Sequence, residues 1–183
     1  KGLDGESFTL VRYEYDTHVA QGQTIHPLRS RTVYPNGLGP EAGDRTEFSY
    51  TWQQEGGTDT LQVFEKTTTY PAVPTEENGS GVAGVDTMLF DSFGKTIWTR
   101  DTRGAISFMA YDLATGAMIQ KIEDVDTEKM VVVPSEWSTE AGWGLHLVSD
   151  FVNDSLGRNT QVRGPWHEAQ LCEGDAVATS IRR

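Results

Sequence analysis

Between Phe90 and Gly116 the sequence repeats one short pattern three times, and this pattern restricts the fold more than any other feature. In each copy an apolar segment is followed by Asp, then by two or three intervening residues, and then by Gly. The three pairs are Asp91 and Gly94, Asp101 and Gly104, and Asp112 and Gly116. An Asp at the start of a turn accepts hydrogen bonds from the amides that follow it, and Gly adopts the positive φ that closes many turns. The pattern predicts three successive turns.

The segments between these turns have the length and composition of β-strands. Lys95–Arg100 and Ala105–Tyr111 are rich in Thr, Ile, Trp, Phe and Tyr, the residues enriched in strands. By the same criteria we predict seven further strands: Ser7–Tyr15, Arg29–Tyr34, Arg45–Trp52, Asp59–Tyr70, Ala117–Glu123, Lys129–Val133 and Gly144–Val152. His18–Pro27 is predicted to be a polar connection, and Ser135–Trp143 an irregular loop. The sequence therefore predicts an all-β fold of antiparallel hairpins in a wide, twisted or wound sheet.

The turn pattern returns once more, near residue 154. Asn153–Arg158 matches Phe90–Lys95 at Asp, Ser, Gly and the basic residue, so Asp154 and Gly157 join the predicted turn positions. The step from Asp91 to Asp112 is 21 residues, and the step from Asp91 to Asp154 is 63, three times that distance. The intermediate position, at Val133, has neither Asp nor Gly, so one copy has either decayed or been replaced by a loop. A period of this length indicates units that bury their faces on their neighbours.

The sequence FDSFGK at residues 90–95, with YDLATG and NDSLGR as looser copies, resembles the YD-repeat or Rhs family. The resemblance covers about residues 88–165, and the sequence YEYD (Tyr13–Asp16) is a weaker match. It implies tandem β-hairpins wound into a long spiral sheet, which closes into a hollow shell in many members. It also implies an exported or cell-surface protein, such as an adhesin or the casing around a toxic C-terminal domain.

The sequence departs from the family pattern at three points. Asp112 and Gly116 are one residue further apart than the other pairs, and Asn153 replaces the aromatic residue before Asp154. No Asp-Pro-x-Gly element is present, and in the family this element accompanies the self-cleaving core. The resemblance thus implies a structural segment, either a fragment or a diverged member, whose partners are further repeats of the same or a longer chain.

Composition divides the chain only weakly. Residues 74–84 are polar, rich in Gly and free of large aromatic groups, which is typical of a linker or a long hairpin loop. We place a boundary here, between a weakly repeat-like hairpin region at 1–81 and a YD-repeat-like region at 82–183. The two regions are also compatible with one continuous sheet.

Charge excludes two classes of partner. The formal net charge of the 183 residues is −12 and the isoelectric point is about 4.6, whereas binding to nucleic acid or to an anionic membrane needs a basic face. No apolar run has the length of a membrane span. We therefore expect neither nucleic-acid binding nor membrane insertion. No signal peptide is visible in the sequence. The expected location, secreted or at the cell surface, therefore follows from the family resemblance alone.

The sequence nominates no reaction centre. It has no G-x-S-x-G, no phosphate- or dinucleotide-binding motif, no zinc spacing among its four histidines and a single cysteine, Cys172. Asp124, Asp126 and Glu128 have only part of a calcium-loop pattern, and Glu136 with Glu140 is the least weak glycosidase pair. We predict a non-enzymatic chain without metal or cofactor.

The tryptophans are the remaining candidates for binding. Trp137, Trp143 and Trp166 lie in or near segments predicted to be irregular, and exposed aromatic rings stack on sugars. Such rings also close the ends of β cores. Carbohydrate binding through these residues is therefore the alternative hypothesis, while Trp52 and Trp98 are predicted to be core residues.

Overall fold

The computed structural model describes residues 9–34 and 43–165, together with the backbone of two short strands beyond them. It is nearly all β, and the predicted fold class is confirmed. The strands are β1 (Val11–Tyr15), β2 (His18–Ala20), β3 (Gln23–Ile25), β4 (Leu28–Val33), β5 (Asp44–Glu55), β6 (Thr58–Thr69), β7 (Val85–Phe90), β8 (Thr96–Arg100), β9 (Ile106–Tyr111), β10 (Met118–Glu123), β11 (Leu147–Asn153), β12 (Asn159–Arg163), β13 (His167–Ala169) and β14 (Thr179–Ile181). Single 3-10 turns lie at Thr75–Glu77 and Thr127–Lys129.

Ten of these strands form one antiparallel sheet in the order β1-β4-β5-β6-β7-β8-β9-β10-β11-β12. From β4 onward the spatial order is the chain order, as the predicted series of hairpins requires. The remaining four strands form two separate two-stranded sheets, β2 with β3 and β13 with β14. In the described part of the chain, no helix is both long and apolar enough to cross a membrane.

The prediction for His18–Pro27 was wrong, because this segment forms the β2–β3 hairpin instead of a plain connection. Gln21 and Gly22 both have positive φ, 52° and 72°, the combination that two-residue hairpin loops require. Gln at the first of these positions is unusual, so the segment lacks a standard turn signal.

The predicted strand at Lys129–Val133 was also wrong. The Asp126 side chain accepts a hydrogen bond from the Glu128 amide and begins a 3-10 turn that runs to Lys129. The sheet has no place for another strand here, since β10 already pairs with β9 on one side and β11 on the other. Val131 and Val132 are consequently 101% and 73% exposed.

The chain divides into two compact units. The first comprises Lys1–Thr96 with Asp101–Arg103, and the second comprises Ile97–Arg100 with Gly104–Arg183. The 74–84 segment lies within the range of the first unit. The predicted boundary between 81 and 82 remains a prediction.

In the first unit the strand register brings a charged network to one face of the sheet. The Glu14 carboxylate accepts a hydrogen bond from the Ser30 hydroxyl at 3.0 Å and lies 2.9 Å from the Arg12 guanidinium and 3.3 Å from that of Arg45. The Ser30 hydrogen bond, together with the three nearby arginines, lowers the pKa of Glu14 against a smaller opposing effect of burial. Ser30 itself is fully buried, so the network links β1, β4 and β5.

In the second unit the register aligns four large side chains across four strands. Trp98 of β8 is opposite Phe108 of β9, which is opposite Ile122 of β10, which is opposite Val148 of β11. Directly paired residues lie on the same face of an antiparallel sheet. These four side chains therefore form a continuous apolar strip, which carries the candidate site.

Candidate functional site

The connection from β10 to β11, residues 124–146, is closed at its base by hydrogen bonds. Thr127 and Thr139 each donate the backbone amide to the other's hydroxyl, at 3.2 and 2.9 Å. The Thr139 hydroxyl also donates to the Val125 carbonyl at 2.7 Å, and Val125, only 1% exposed, donates its amide to Ile106 of β9. These bonds fix both arms of the connection to the sheet.

The end of the connection is fixed by Asp124. Its side chain accepts a hydrogen bond from the Leu145 amide and its carbonyl accepts one from the His146 amide, both at 2.8 Å. Gly144, with a φ of 88°, lies close to the backbone of the opposite arm. A Cβ at this position would be 2.9 Å from the Val125 carbonyl oxygen. His146 was predicted to lie inside a strand, but it has a φ of 52° and precedes β11.

An open cleft of about 490 Å³ lies over the apolar strip of the second unit. The strip lines it, and Met130, Val131 and Val132 of the connection line it as well. Three polar side chains complete the lining: Gln120, Lys129 and His146. This volume is within the range of about 300–1,000 Å³ that is common for small-molecule sites.

The polar groups of the cleft are mostly engaged already. Lys129 Nζ lies 3.1 Å from the Asp126 carboxylate, and Gln120 donates from Nε2 to Asp150 at 3.0 Å. The hydrogen bond from Lys129 is the main reason why the pKa of Asp126 is lowered, with the Glu128 amide and the positive charge of Lys129 acting in the same direction and burial opposing them. The lysine charge is therefore paired.

The third polar side chain, His146, has a hydrogen bond that fixes its tautomer. Its Nδ1 accepts a hydrogen bond from the Asp126 amide at 3.3 Å. A neutral imidazole whose Nδ1 accepts carries its hydrogen on Nε2. The ring therefore contributes one N–H donor to the lining of the cleft.

The predicted turn positions Asp91 and Asp154 have matching geometry, 63 residues apart. Asp91 Oδ1 accepts from the amides of Phe93 and Lys95 at 2.9 and 2.8 Å. Asp154 Oδ1 accepts from Leu156 and Arg158, both at 3.0 Å. In each turn the Asp amide donates to the basic residue's carbonyl and the Gly amide donates to the Asp carbonyl.

The turns at Asp101 and Asp112 have different hydrogen bonds, because their sequences differ from the other two. Asp101 Oδ1 accepts from the Arg103 amide at 2.9 Å. Asp112 Oδ1 accepts from both the amide and the hydroxyl of Thr115, and its extra residue moves the closing bond to Ala117. All four predicted glycines have positive φ: Gly94 at 78°, Gly104 at 86°, Gly116 at 70° and Gly157 at 77°.

The candidate ligand-binding tryptophans are in different environments. Trp137 is half-buried, with its ring 6.5 Å from that of Trp98 and the Arg100 guanidinium 4.9 Å above it. Trp143 is 69% exposed. Trp166 lies outside the described residues. Neither Trp137 nor Trp143 lines the cleft.

The two predicted core tryptophans also differ. Trp98 is 5% exposed, as expected for the core. Trp52 is only half-buried and stacks on the His18 ring at 3.8 Å with the planes 6° apart. The core prediction for Trp52 was wrong. The ring is covered on one face by His18 of the β2–β3 hairpin, which the sequence did not indicate, and it remains partly exposed.

The acidic candidates are either engaged separately or exposed. No group of three or more metal-ligating side chains occurs among the described residues. Asp124 and Asp126 use their carboxylates on backbone amides of the connection, and Glu136 and Glu140 are exposed. The absence of enzymatic activity remains a prediction.

Sequence analysis missed the cleft because it depends on register. Phe108, Ile122 and Val148 were recognised as strand residues, but their common face follows only from the strand pairing. Val131 and Val132 were assigned to a strand because β-branched residues favour strands. The available signal was the missing repeat at Val133, where replacement by a loop was one of two alternatives.

Comparison with solved structures gives a weak structural similarity. No family model matches the chain, and no curated protein matches it. Among solved structures, a chain of the crystal structure of TcdB2-TccC3-Cdc42 is similar, with a TM-score of 0.32 and 13% sequence identity, over 93% of this chain and 10% of that one. The present chain thus spans about a tenth of the length of that neighbour.

Proposed function

We propose that this chain is a non-enzymatic structural segment of a YD-repeat protein, forming part of the wall of a β-spiral. The observation that carries the proposal is the matching geometry of the Asp91 and Asp154 turns, three repeat steps apart. Two hairpins that close with the same four hydrogen bonds indicate a repeated unit and not two unrelated turns. The motif resemblance over about residues 88–165 supports the same conclusion.

The strand order supports the proposal independently. Successive hairpins that lie side by side extend a sheet without a fixed end, as a wall requires. Within the described residues, β1 has only β4 as a neighbour and β12 has only β11. Such edges are templates for further strands. We propose further repeats as their partners, in an exported or cell-surface protein that encloses another domain.

The experiment measures pairing at the β12 edge. Every residue of β12 is exposed, and Val162 is 49% exposed. We expect the wild-type chain to self-associate reversibly with rising concentration in sedimentation velocity, and Val162→Lys to weaken this association, because a charged edge disfavours strand pairing. Leu156→Lys is the matched control, since it adds the same charge at a 73% exposed position in the β11–β12 turn.

Two results would overturn the proposal. One is a wild-type chain that stays monomeric at all concentrations. The other is equal association of wild type and Val162→Lys, which would locate the contact elsewhere.

Carbohydrate binding is the second candidate, and the observation that favours it is the exposure of Trp143. An exposed indole offers a face for a sugar ring, whereas the Trp137 ring is already in contact with Trp98 and Arg100. We expect any binding on a glycan array to be lost in Trp143→Ala. If no glycan binds, or if binding survives this substitution, the second candidate is rejected.

A further inference from the structure

The cleft over the apolar strip is a built site that a structural wall does not need. Its floor comes from four neighbouring strands, and its other wall comes from a connection fixed at both ends by Thr127, Thr139 and Asp124. The walls are therefore positioned before any ligand arrives. A preformed pocket loses less conformational entropy on binding than a flexible one.

The lining determines the apolar part of the ligand. Phe108 and Val148 are half-buried and contribute the accessible part of the strip. Trp98, with its ring centroid 4.7 Å from that of Phe108, and Ile122 lie beneath them at 5% and 4% exposure. Opposite them, Val131 and Val132 are 101% and 73% exposed. A flat or elongated apolar molecule in the cleft would remove apolar surface on both walls from water, the main driving force for such binding.

The polar groups of the lining indicate the charge and the hydrogen-bonding group of the ligand. The Lys129 charge is paired with Asp126, and Gln120 donates to Asp150. His146 is the one polar lining residue without a carboxylate partner among the described residues, and the bond to its Nδ1 leaves Nε2–H as a donor. A chain with a net charge of −12 also repels anions. The lining itself has no carboxylate to attract a cation, so the ligand should be uncharged, with a hydrogen-bond acceptor for the His146 N–H.

We propose that this cleft binds an uncharged, mainly apolar small molecule with a single acceptor, such as an aromatic or aliphatic ketone or ester. A sugar fits less well, because the lining is mainly apolar and would leave many of its hydroxyl groups without hydrogen-bond partners. The site is independent of the wall proposal, and neither depends on the other.

Binding is measured by displacement of Nile red, an uncharged apolar dye, from the whole chain. Three probes share one naphthalene ring: 2-acetylnaphthalene has a neutral acceptor, 2-ethylnaphthalene has none and 2-naphthoate is anionic. We expect 2-acetylnaphthalene to displace the dye at a concentration about fivefold lower than 2-ethylnaphthalene, which corresponds to one hydrogen bond, and 2-naphthoate to be the weakest.

The location is tested with Val132→Trp, which fills the cleft from an exposed position and so leaves the fold intact. We expect at least a tenfold weaker affinity for Nile red. Val82→Trp is the matched control, because it makes the same change at a 71% exposed valine outside the cleft lining, and it should bind like wild type. Equal binding by both variants would overturn the site, and tighter binding of 2-naphthoate or equal binding of the two neutral probes would overturn the ligand class.

Discussion

The indole rings of Trp98 and Trp137 meet edge to face, with centroids 6.5 Å apart and planes at 79°. Trp98 is in the core of the second unit, and Trp137 is in the irregular connection between β10 and β11. Edge-to-face packing is a favoured geometry for aromatic pairs. The Arg100 guanidinium lies on the same Trp137 ring. Trp137 therefore joins the connection to the sheet.

This contact predicts that Trp137 contributes to stability. Trp137→Ala should lower the free energy of unfolding by about 2 kcal/mol, because it removes the aromatic contact and leaves a partial cavity beside Trp98. Trp143→Ala is the control, and its 69% exposed ring should cost less than about 0.5 kcal/mol. Urea denaturation gives both values. Equal losses would show that the Trp98 contact is energetically unimportant.

The turn glycines should differ in their sensitivity to an added methyl group. Gly104→Ala should cost about 1–2 kcal/mol through positive φ alone, because no atom lies within 4 Å of its Cβ position. Gly157→Ala should cost about 1 kcal/mol more, because its Cβ would be 2.9 Å from the Cβ of Thr115. Thr115 cannot easily move, since its hydroxyl donates to Asp112. Chemical denaturation of the two variants tests the order, and a larger cost at Gly104 would contradict it.

The His18–Trp52 stack should hold the β2–β3 hairpin on the first unit. His18 also donates from Nε2 to the Thr60 carbonyl at 2.8 Å, so His18→Ala removes both interactions and should cost about 1–2 kcal/mol. Amide hydrogen exchange should accelerate in residues 18–25 and remain unchanged in β9 and β10. Gln23→Ala, at an exposed side chain of β3, is the control. Unchanged exchange in the His18→Ala hairpin would show that other contacts hold it.

Acid should weaken the β11–β12 turn. The amide and guanidinium of Arg158, with the Leu156 amide, lower the pKa of Asp154 below its ordinary value of 3.8, against a smaller opposing effect of burial. A group whose pKa is lower in the folded state stabilises the fold above its unfolded pKa and loses that contribution as pH falls through the folded value. Stability should therefore decline below about pH 4.

The measurement is the midpoint of urea unfolding between pH 6 and pH 3. Asp154→Asn should have a shallower dependence on pH than wild type, because the titrating carboxylate is gone. Glu140→Gln removes one charge at an exposed site and should keep the wild-type dependence. If Asp154→Asn and wild type lose stability in parallel, the carboxylate of Asp154 does not contribute to the acid sensitivity.

Local signals in the sequence predicted most of the sheet. Strong turn chemistry and β-branched residues located the β5–β6 hairpin, β8, β9 and β10 to within a few residues. The β2–β3 hairpin was missed because Gln21 is not a typical residue at positive φ. The exposed Val131 and Val132 were misassigned because residue preference does not reveal whether a neighbouring strand is free to pair.

The amino-acid sequence by itself determined the all-β architecture, since turn formation at Asp and Gly depends on interactions between residues within five positions of each other. Only the tertiary structure decided the cleft and the role of Trp137. Both depend on strand register, which brings residues 98, 108, 122 and 148 onto one face, and on a connection that folds back over that face. The same turn pattern that constrains the chain from Phe90 to Gly116 therefore fixes the hairpins of the sheet, while the irregular connection around Val133 forms one side of the cleft.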